Sequence, residues 1–497
     1  MSFGNNNTID VQEDGIRATD GSYMTINNNV INDFEEYGIN FHSSENSTVN
    51  SNRIISNTNP TYWKRGINNT ESNQNAIINY NYIEIGDFNN VSWGDEAYYG
   101  ISAHDSEIKG DTIIIYSMCE GNGVDGNRST IEDNYIKVFQ KYDCNVITGV
   151  YNSSDNTNRG LIKNNTIEAN GYARGIVSSY SDILDNTISH DATNAYTWCC
   201  YMQEQYMYGI GWGGDNYIKG NTLSNLEGGI YTAGYDRNII DSNFIQVNRC
   251  GVWAPDADSL IVTNNTIQTN SNTIIHTTNG ASVIKYNLLT TSSGRGIHCE
   301  NQAGIEFSNN TIISASSGDY GVHISNLSSP IVRNNIIQGF QNGIYADNTL
   351  VNYSLSYNDL FQITGNMFDG TAMPPLIGQA ISLNANGDVS DIYGNINLDP
   401  DFVFAWGGNY NLNVTSPCIN AGDPNVTDPD TTVSDIGAYY YFNPNVMGCT
   451  DPLACNYDPS AVFEDGSCLY NSISTDVNIS CDTYSWNGTV YTASGTY

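Results

Sequence analysis

The sequence predicts an all-β solenoid, and three observations predict it. First, one short unit recurs. Its clearest copy opens at Gly296-Ile297-His298, and fourteen residues later Asn310-Thr311-Ile312 starts a second apolar run. The same spacing joins Gly229 to Asn243, Gly251 to Asn265 and Gly321 to Asn335. Second, the apolar residues fall in short runs without the 3.6-residue period of a helix. Third, the polar composition is dominated by Asn, Ser, Thr and Gly, and the chain carries 35 Tyr. That mixture of turn formers and strand formers belongs to β-structure.

In order, the unit opens at Gly15, Gly38, Gly66, Gly100, Gly123, Gly149, Gly175, Gly209, Gly229, Gly251, Gly296, Gly321 and Gly343. A degenerate copy at Ile274-Ile275-His276 fills the long gap after Gly251. These fourteen units have a period of about 25 residues, enough for three short strands per turn. Asn29, Asn52, Asn81, Asn134, Asn165, Asn186, Asn221, Asn243, Asn265, Asn287, Asn310 and Asn335 open the second run. One turn cannot bury its own apolar face, so the Ile and Val residues must stack inward along an axis. The asparagines then bond from turn to turn inside a bend, and the glycines permit a bend where a side chain would clash. Larger gaps, such as Gly66 to Gly100, mark loops inserted into single turns. With turns about 4.8 Å apart, the rod is on the order of 65 Å long.

This repeat resembles the right-handed parallel β-helix superfamily, the fold of pectate lyases, polygalacturonases, alginate epimerases and many non-enzymatic surface proteins. The resemblance covers residues 1–365 and implies the fold rather than a chemistry. Residues 366–447 carry Leu398-Asp399-Pro400, Tyr410-Asn411-Leu412, Ser416-Pro417-Cys418, Ala421-Gly422-Asp423 and Asp435-Ile436-Gly437-Ala438. They resemble the closing segment of secreted bacterial β-helix proteins of the choice-of-anchor type, which implies a cap over the open end. Residues 448–470 resemble Cys- and Asp-rich repeats of large secreted proteins from marine Bacteroidetes-like bacteria. Asp451, Asn456, Asp458 and Asp465 there offer oxygen ligands for Ca²⁺, although their spacing is not that of the twelve-residue EF-hand loop. Asp-Pro and Asp-Gly turns in a disulfide-stapled linker account for them equally. Residues 471–497 read as the start of a truncated β module.

Charge bounds the partners. There are 17 Lys and Arg against 53 Asp and Glu, a net charge of −36. Such an excess repels nucleic acid and anionic membrane. No run approaches the roughly 20 apolar residues of a membrane span. The 11 cysteines, four of them at 449, 455, 468 and 481, point to an oxidising compartment and hence a secreted or cell-surface protein. The start MSFGNNNTID has no signal-peptide pattern, so the expectation is a piece of a longer secreted chain or a misassigned start. Cys119 and Cys144 lie four and five residues before Gly123 and Gly149, which places them on adjacent turns at disulfide range.

Function is sought on the outer face. Strand alternation points the second residue after each opening glycine outward. From Gly229 on, these residues are Tyr231, Trp253, His276, His298, His323 and Tyr345. Such a stripe, with Asn, Asp and Ser beside it, suits an extended polysaccharide. External ladders of like residues also form for stability alone. The three histidines offer imidazoles to a transition metal, but in parallel rather than converging. Arg295, His298, Glu300, Asp319 and His323 on two neighbouring turns form the one candidate catalytic cluster, an Arg to hold a uronate carboxylate and a His to move a proton. The Asn-Thr-Asp, Asp-Asp and Gly-His-Gly motifs of polygalacturonases are absent, as is the Asp-Pro-His of alginate epimerases. Ala103-His104-Asp105 is the nearest approach to the latter. The sequence reading is therefore a secreted β-helix that binds extended polysaccharide or acts in adhesion. A lyase, epimerase or hydrolase on a uronate-containing glycan is the alternative, and a structural stalk the third. No cofactor beyond Ca²⁺ is implied.

Overall fold

The computed structural model describes all residues except 1, 4–6, 11–12, 19–22, 42–43, 58–62, 71–74, 87–96, 118–119, 141–146, 191–207, 235, 302–303, 327–329, 348–353, 372, 443–446, 460, 462, 465, 471–481 and 494–497. Two units are distinguished: residues 1–426 with 433–441, and residues 427–432 with 442–497. The first is a parallel β-solenoid. One face is a 15-stranded sheet taking a single strand from each successive turn. A 28-stranded sheet makes the other two faces. One runs through Val30–Asn32, Arg53–Ser56 and Tyr82–Ile85, the other through Tyr37–Asn40, Trp63–Asn69 and Ala97–Ala103.

The register explains the repeat. Each inward aliphatic residue sits on its counterpart one turn away: Ile39 on Ile67, Ile67 on Ile101, Ile275 on Ile297. These side chains are fully buried in one continuous core. The opening glycines are needed for clearance rather than for a left-handed backbone. A Cβ at Gly296 would stand 2.1 Å from the Gly321 carbonyl oxygen and 2.6 Å from Ile312. Gly66 meets the Gly100 carbonyl and Ile83 in the same way.

The asparagines form the expected ladder. In each rung the backbone N–H donates to the next rung's Oδ1, and the side-chain amide donates to the same atom, as from Asn52 to Asn81 at 3.0 Å for both bonds. The amide also donates to a backbone carbonyl of the preceding turn, Asn52 to Ile26 at 2.9 Å. The ladder extends past the sequence-predicted rungs to Asn358 and Asn395, where the last amide donates to Asp391. One rung is not an amide. Asp111 accepts from the Asn81 backbone and side chain and donates its own N–H to Asn134. Its Oδ2 is buried without a partner, where an asparagine would present a donor.

Residues beyond 365 continue the stack before leaving it. Phe368–Asp369 pairs with the strand Ile336–Asp347, and Ile396 bridges to Asp359. The chain then returns along the side of the solenoid. Ile396, Leu412, Cys418, Ala421 and Ile436 pack with Ile313 and Ile336 in a second small core. Arg333 joins Asp423 at 2.6 Å and Glu306 at 3.1 Å, and Asn309 donates to Ser434. In the second unit, Cys449 and Cys468 form a disulfide. Cys119 and Cys144 lie outside the described residues. No helix of the described residues is long and apolar enough to cross a membrane.

Burial raises the Asp111 carboxyl to about 8, against about 3.9 for an unfolded aspartate. The folded state thus holds a proton that the unfolded state releases, and stability falls as pH rises from about 4 to 8. Asp111→Asn restores the amide donor without the ionisable group. Thermal melts at pH 4, 7 and 9 should show the variant more stable than wild type, with the gap small at pH 4 and widest at 9. A gap independent of pH would contradict a protonated rung.

Candidate functional site

The outer stripe exists in the expected register. Tyr231 pairs with Trp253, Trp253 with His276, His276 with His298, His298 with His323 and His323 with Tyr345. Each is flanked by inward residues, as His298 is by Ile297 and Cys299, so each points away from the core. The presentation differs from the expected flat aromatic surface. The His276 and His298 rings are 4.7 Å apart and 8° from parallel, and His298 and His323 are 4.4 Å apart at 11°. Tyr231 stacks on Tyr208 at 5.2 Å and leans on Trp253 at 5.0 Å. Tyr231 and His298 are each only 7% exposed. Parallel strands about 4.8 Å apart set the histidine rings at the thickness of a stack, so their faces are turned to each other, while Tyr345 stands edge-on to His323 at 89°.

The candidate catalytic residues do come together. Arg295 Nε is 3.0 Å from Asp319 Oδ2, and its guanidinium lies over Tyr320 at 6.0 Å. His298 Nε2 lies 2.9 Å from Glu300 Oε1. That approach is off the hydrogen-bonding direction, because Nε2 remains a buried atom without a hydrogen-bond partner, as does His323 Nδ1. Burial, the two neighbouring imidazoles and Arg295 push His298 down to about 3, so at neutral pH it is an uncharged imidazole. His323 is lowered by burial and by Arg295. The sequence reading has the imidazoles parallel rather than converging. Two rungs and the alternation of one strand in fact bring one ligand atom each of His276, His298 and Glu300 within 4.8 Å of one another.

Other sequence candidates are engaged elsewhere. Asp105, of Ala103-His104-Asp105, is held by Arg128 through two hydrogen bonds of 2.7 and 2.6 Å. Asp451 accepts from the Leu453 N–H and the Tyr470 hydroxyl. Asn456 bonds the Ser467 carbonyl and the Leu469 N–H. The Asp458 N–H donates to the Cys449 carbonyl. Asp465 lies outside the described residues.

A cleft on the same face was missed by the sequence reading. Its volume is about 350 Å³, and Tyr99, Glu120, Asn122, Tyr151, Arg174 and Trp212 are among its lining residues. The stripe position itself creates the space. Tyr151 is followed in register by Val177, then Gly211, then Tyr231. Val177 and Gly211 thus leave two successive rungs of the column without a ring, and a Cβ at Gly211 would meet nothing within 4 Å. A second outward column borders it, the residue before each opening glycine: Arg65, Tyr99, Asn122, Thr148 and Arg174 in successive register. Trp212 forms the rim. It is 53% exposed, and its φ of +95° is a conformation that a bulky residue rarely adopts. The buried Arg174 guanidinium packs over its ring at 5.7 Å. Reading the residue before each glycine, and asking where the stripe lacks a ring, would have found the cleft.

Residues 199–372 match a protein family described as "Periplasmic copper-binding protein (NosD)". No curated protein matches the chain. The matched span contains the three stacked histidines. Imidazole nitrogen suits copper, and two imidazoles and a carboxylate lie together within that span.

Because His298 titrates far below an unfolded histidine, acid should weaken the fold through this residue. The unfolded chain takes up its proton below about pH 6.5; the folded chain does not until about pH 3. The stability present above 6.5 is thus lost as pH falls through that window. His298→Gln should flatten the acid limb of the melting temperature between pH 6.5 and 4, and in imidazole NMR spectra the His298 ring should stay neutral over the same range. A His298 resonance titrating near 6.5 would refute the buried, neutral state.

Proposed function

We propose, on the premise that residues 199–372 resemble a periplasmic family, that this solenoid works outside the cytoplasm and binds an extended saccharide chain along the outer face of its long sheet. The cleft carries this reading. It exposes the ring of Trp212 and, at 37%, that of Tyr151, beside buried Arg174 and the amide of Asn122. Pyranose CH groups pack on ring faces while amides and guanidinium bond the hydroxyls. About 350 Å³ is at the small end of ligand sites, enough for one or two sugar rings of a longer chain. The stripe from Tyr231 to Tyr345 contributes ring edges and neighbouring polar groups to the same track, and its stacked faces stabilise the rod.

The copper of the matched family's description supports a second reading for the same face, metal-ion binding. The observation that favours it is the proximity of His276, His298 and Glu300.

A glycan array with three variants tests the first reading. Trp212→Ala should lower retention about tenfold, in the range of one lost aromatic contact, without lowering the melting temperature. Trp253→Ala should do the reverse, since its ring is part of the stack. Gly211→Tyr should fill the open rung, keep or raise the melting temperature and abolish retention. Retention unchanged in both Trp212→Ala and Gly211→Tyr would remove the cleft from consideration. Following absorbance from new unsaturated ends with alginate and pectin on the same samples separates lyase action from binding.

A further inference from the structure

We propose that His276, His298 and Glu300 form one binding site for a first-row transition ion that prefers imidazole. The inference rests on the second reading above and names its ligands, its ion class and the movement that closes it.

Geometry supplies the first argument. His276 and His298 are directly paired on neighbouring strands, and Glu300 is two residues beyond His298 on the same outward face. Their ligand atoms lie within 4.8 Å of one another. Two ligands each about 2.0–2.1 Å from one ion stand at most about 4.2 Å apart. The site thus needs a contraction of well under 1 Å per ligand, which tilting of the two rings toward their outer edges provides. His323 is excluded from the same ion as His276, because two rungs of about 4.8 Å separate them.

Chemistry supplies the second. His298 Nε2 is buried without a hydrogen-bond partner, yet a carboxylate oxygen stands 2.9 Å away. No hydrogen bond joins the two atoms, so both are left to a shared cation once the His298 ring turns its Nε2 toward it. Two imidazoles and one carboxylate make a set suited to Zn²⁺ or Cu²⁺ rather than to Ca²⁺ or Mg²⁺, which take oxygen ligands. Cys299, next to His298 in sequence, points into the core and is fully buried, so it offers no thiolate to this ion.

The fold supplies the third. The remaining outward rings of the column are Tyr and Trp, which pack without offering a strong ligand atom. Three consecutive histidines replace them, and only beside His298 does the same strand place a carboxylate in contact.

The whole chain, stripped of metal, is titrated calorimetrically with ZnCl₂, and separately with CuCl₂ under electron paramagnetic resonance. One equivalent of Zn²⁺ should bind, and the Cu²⁺ spectrum should carry hyperfine structure from two imidazole nitrogens. His276→Ala and His298→Ala should each weaken Zn²⁺ binding by about a hundredfold or more, since loss of even an outer-shell partner costs 10–100-fold. Glu300→Gln should weaken it less, and His323→Ala should leave the single equivalent in place. Melting curves of the metal-free variants control for folding, and Zn²⁺ should raise the melting temperature of wild type and His323→Ala but not of His298→Ala. No binding of either ion overturns both this site and the second reading. Binding that survives in His276→Ala and His298→Ala overturns the site alone and leaves the second reading standing.

Discussion

The structure depends on in-register stacking of parallel strands. Every turn repeats the last about 4.8 Å further along the axis, so each side chain sits on its counterpart from the neighbouring turn. Inside, the consequence is the aliphatic core and the asparagine ladder, in which each rung satisfies a backbone N–H and a side-chain acceptor of its neighbours. A buried amide left without a partner costs roughly 1–3 kcal/mol, so the ladder tolerates little variation. Asp111 shows the tolerance that exists, since a protonated carboxyl reproduces the donor and acceptor of an amide.

Outside, the same stacking has an opposite effect on function. Rings placed one turn apart cover each other's faces, and the more regular the column, the less of each ring a ligand reaches. In the Tyr231-to-Tyr345 stripe the three histidine rings cover each other's faces, while Tyr231 and Trp253 are tilted and Tyr345 stands edge-on to His323. Ring surface and donor atoms that a ligand could reach are therefore found where regularity fails or where a ring edge carries a donor. The open rung at Gly211, with strained Trp212 beside it, is the first kind of place. The imidazole edges at His276 and His298 are the second.

This asymmetry explains what was legible in the sequence. A period with fixed glycine, aliphatic and asparagine positions is dictated by stacking, so the fold and all twelve asparagine rungs read from the sequence stand in the structure. Asp111, Asn358 and Asn395 escaped because one is not an asparagine and the others follow the last clear glycine. The stripe was legible as a register, because alternation and period fix which residues align. Its exposure was not, because coverage depends on ring orientation, which no spacing encodes. The cleft was hidden for a different reason. It lies where Val177 and Gly211 leave the column without a ring and beside a column read one residue before each glycine, and a search for chemistry-bearing residue types passes over both. Glu300 was noticed in the sequence, but only the alternation within Arg295–Glu300 brings it to His298.

Charge then distinguishes this face from the rest of the molecule. With 53 acidic against 17 basic residues, an average surface of this chain repels anions. The column before the glycines nevertheless carries Arg65, Arg174 and Arg295, all on this outer face. Arg65 lies over Trp63 and Tyr99, Arg174 over Trp212, and Arg295 over Tyr320, each at 5.1–6.0 Å. A guanidinium packed on an aromatic ring keeps its charge and loses freedom, which lowers the entropy cost of holding a ligand. The face thus holds guanidinium groups at fixed positions along the axis, with Arg295 already paired to Asp319, within a molecule of strongly negative net charge.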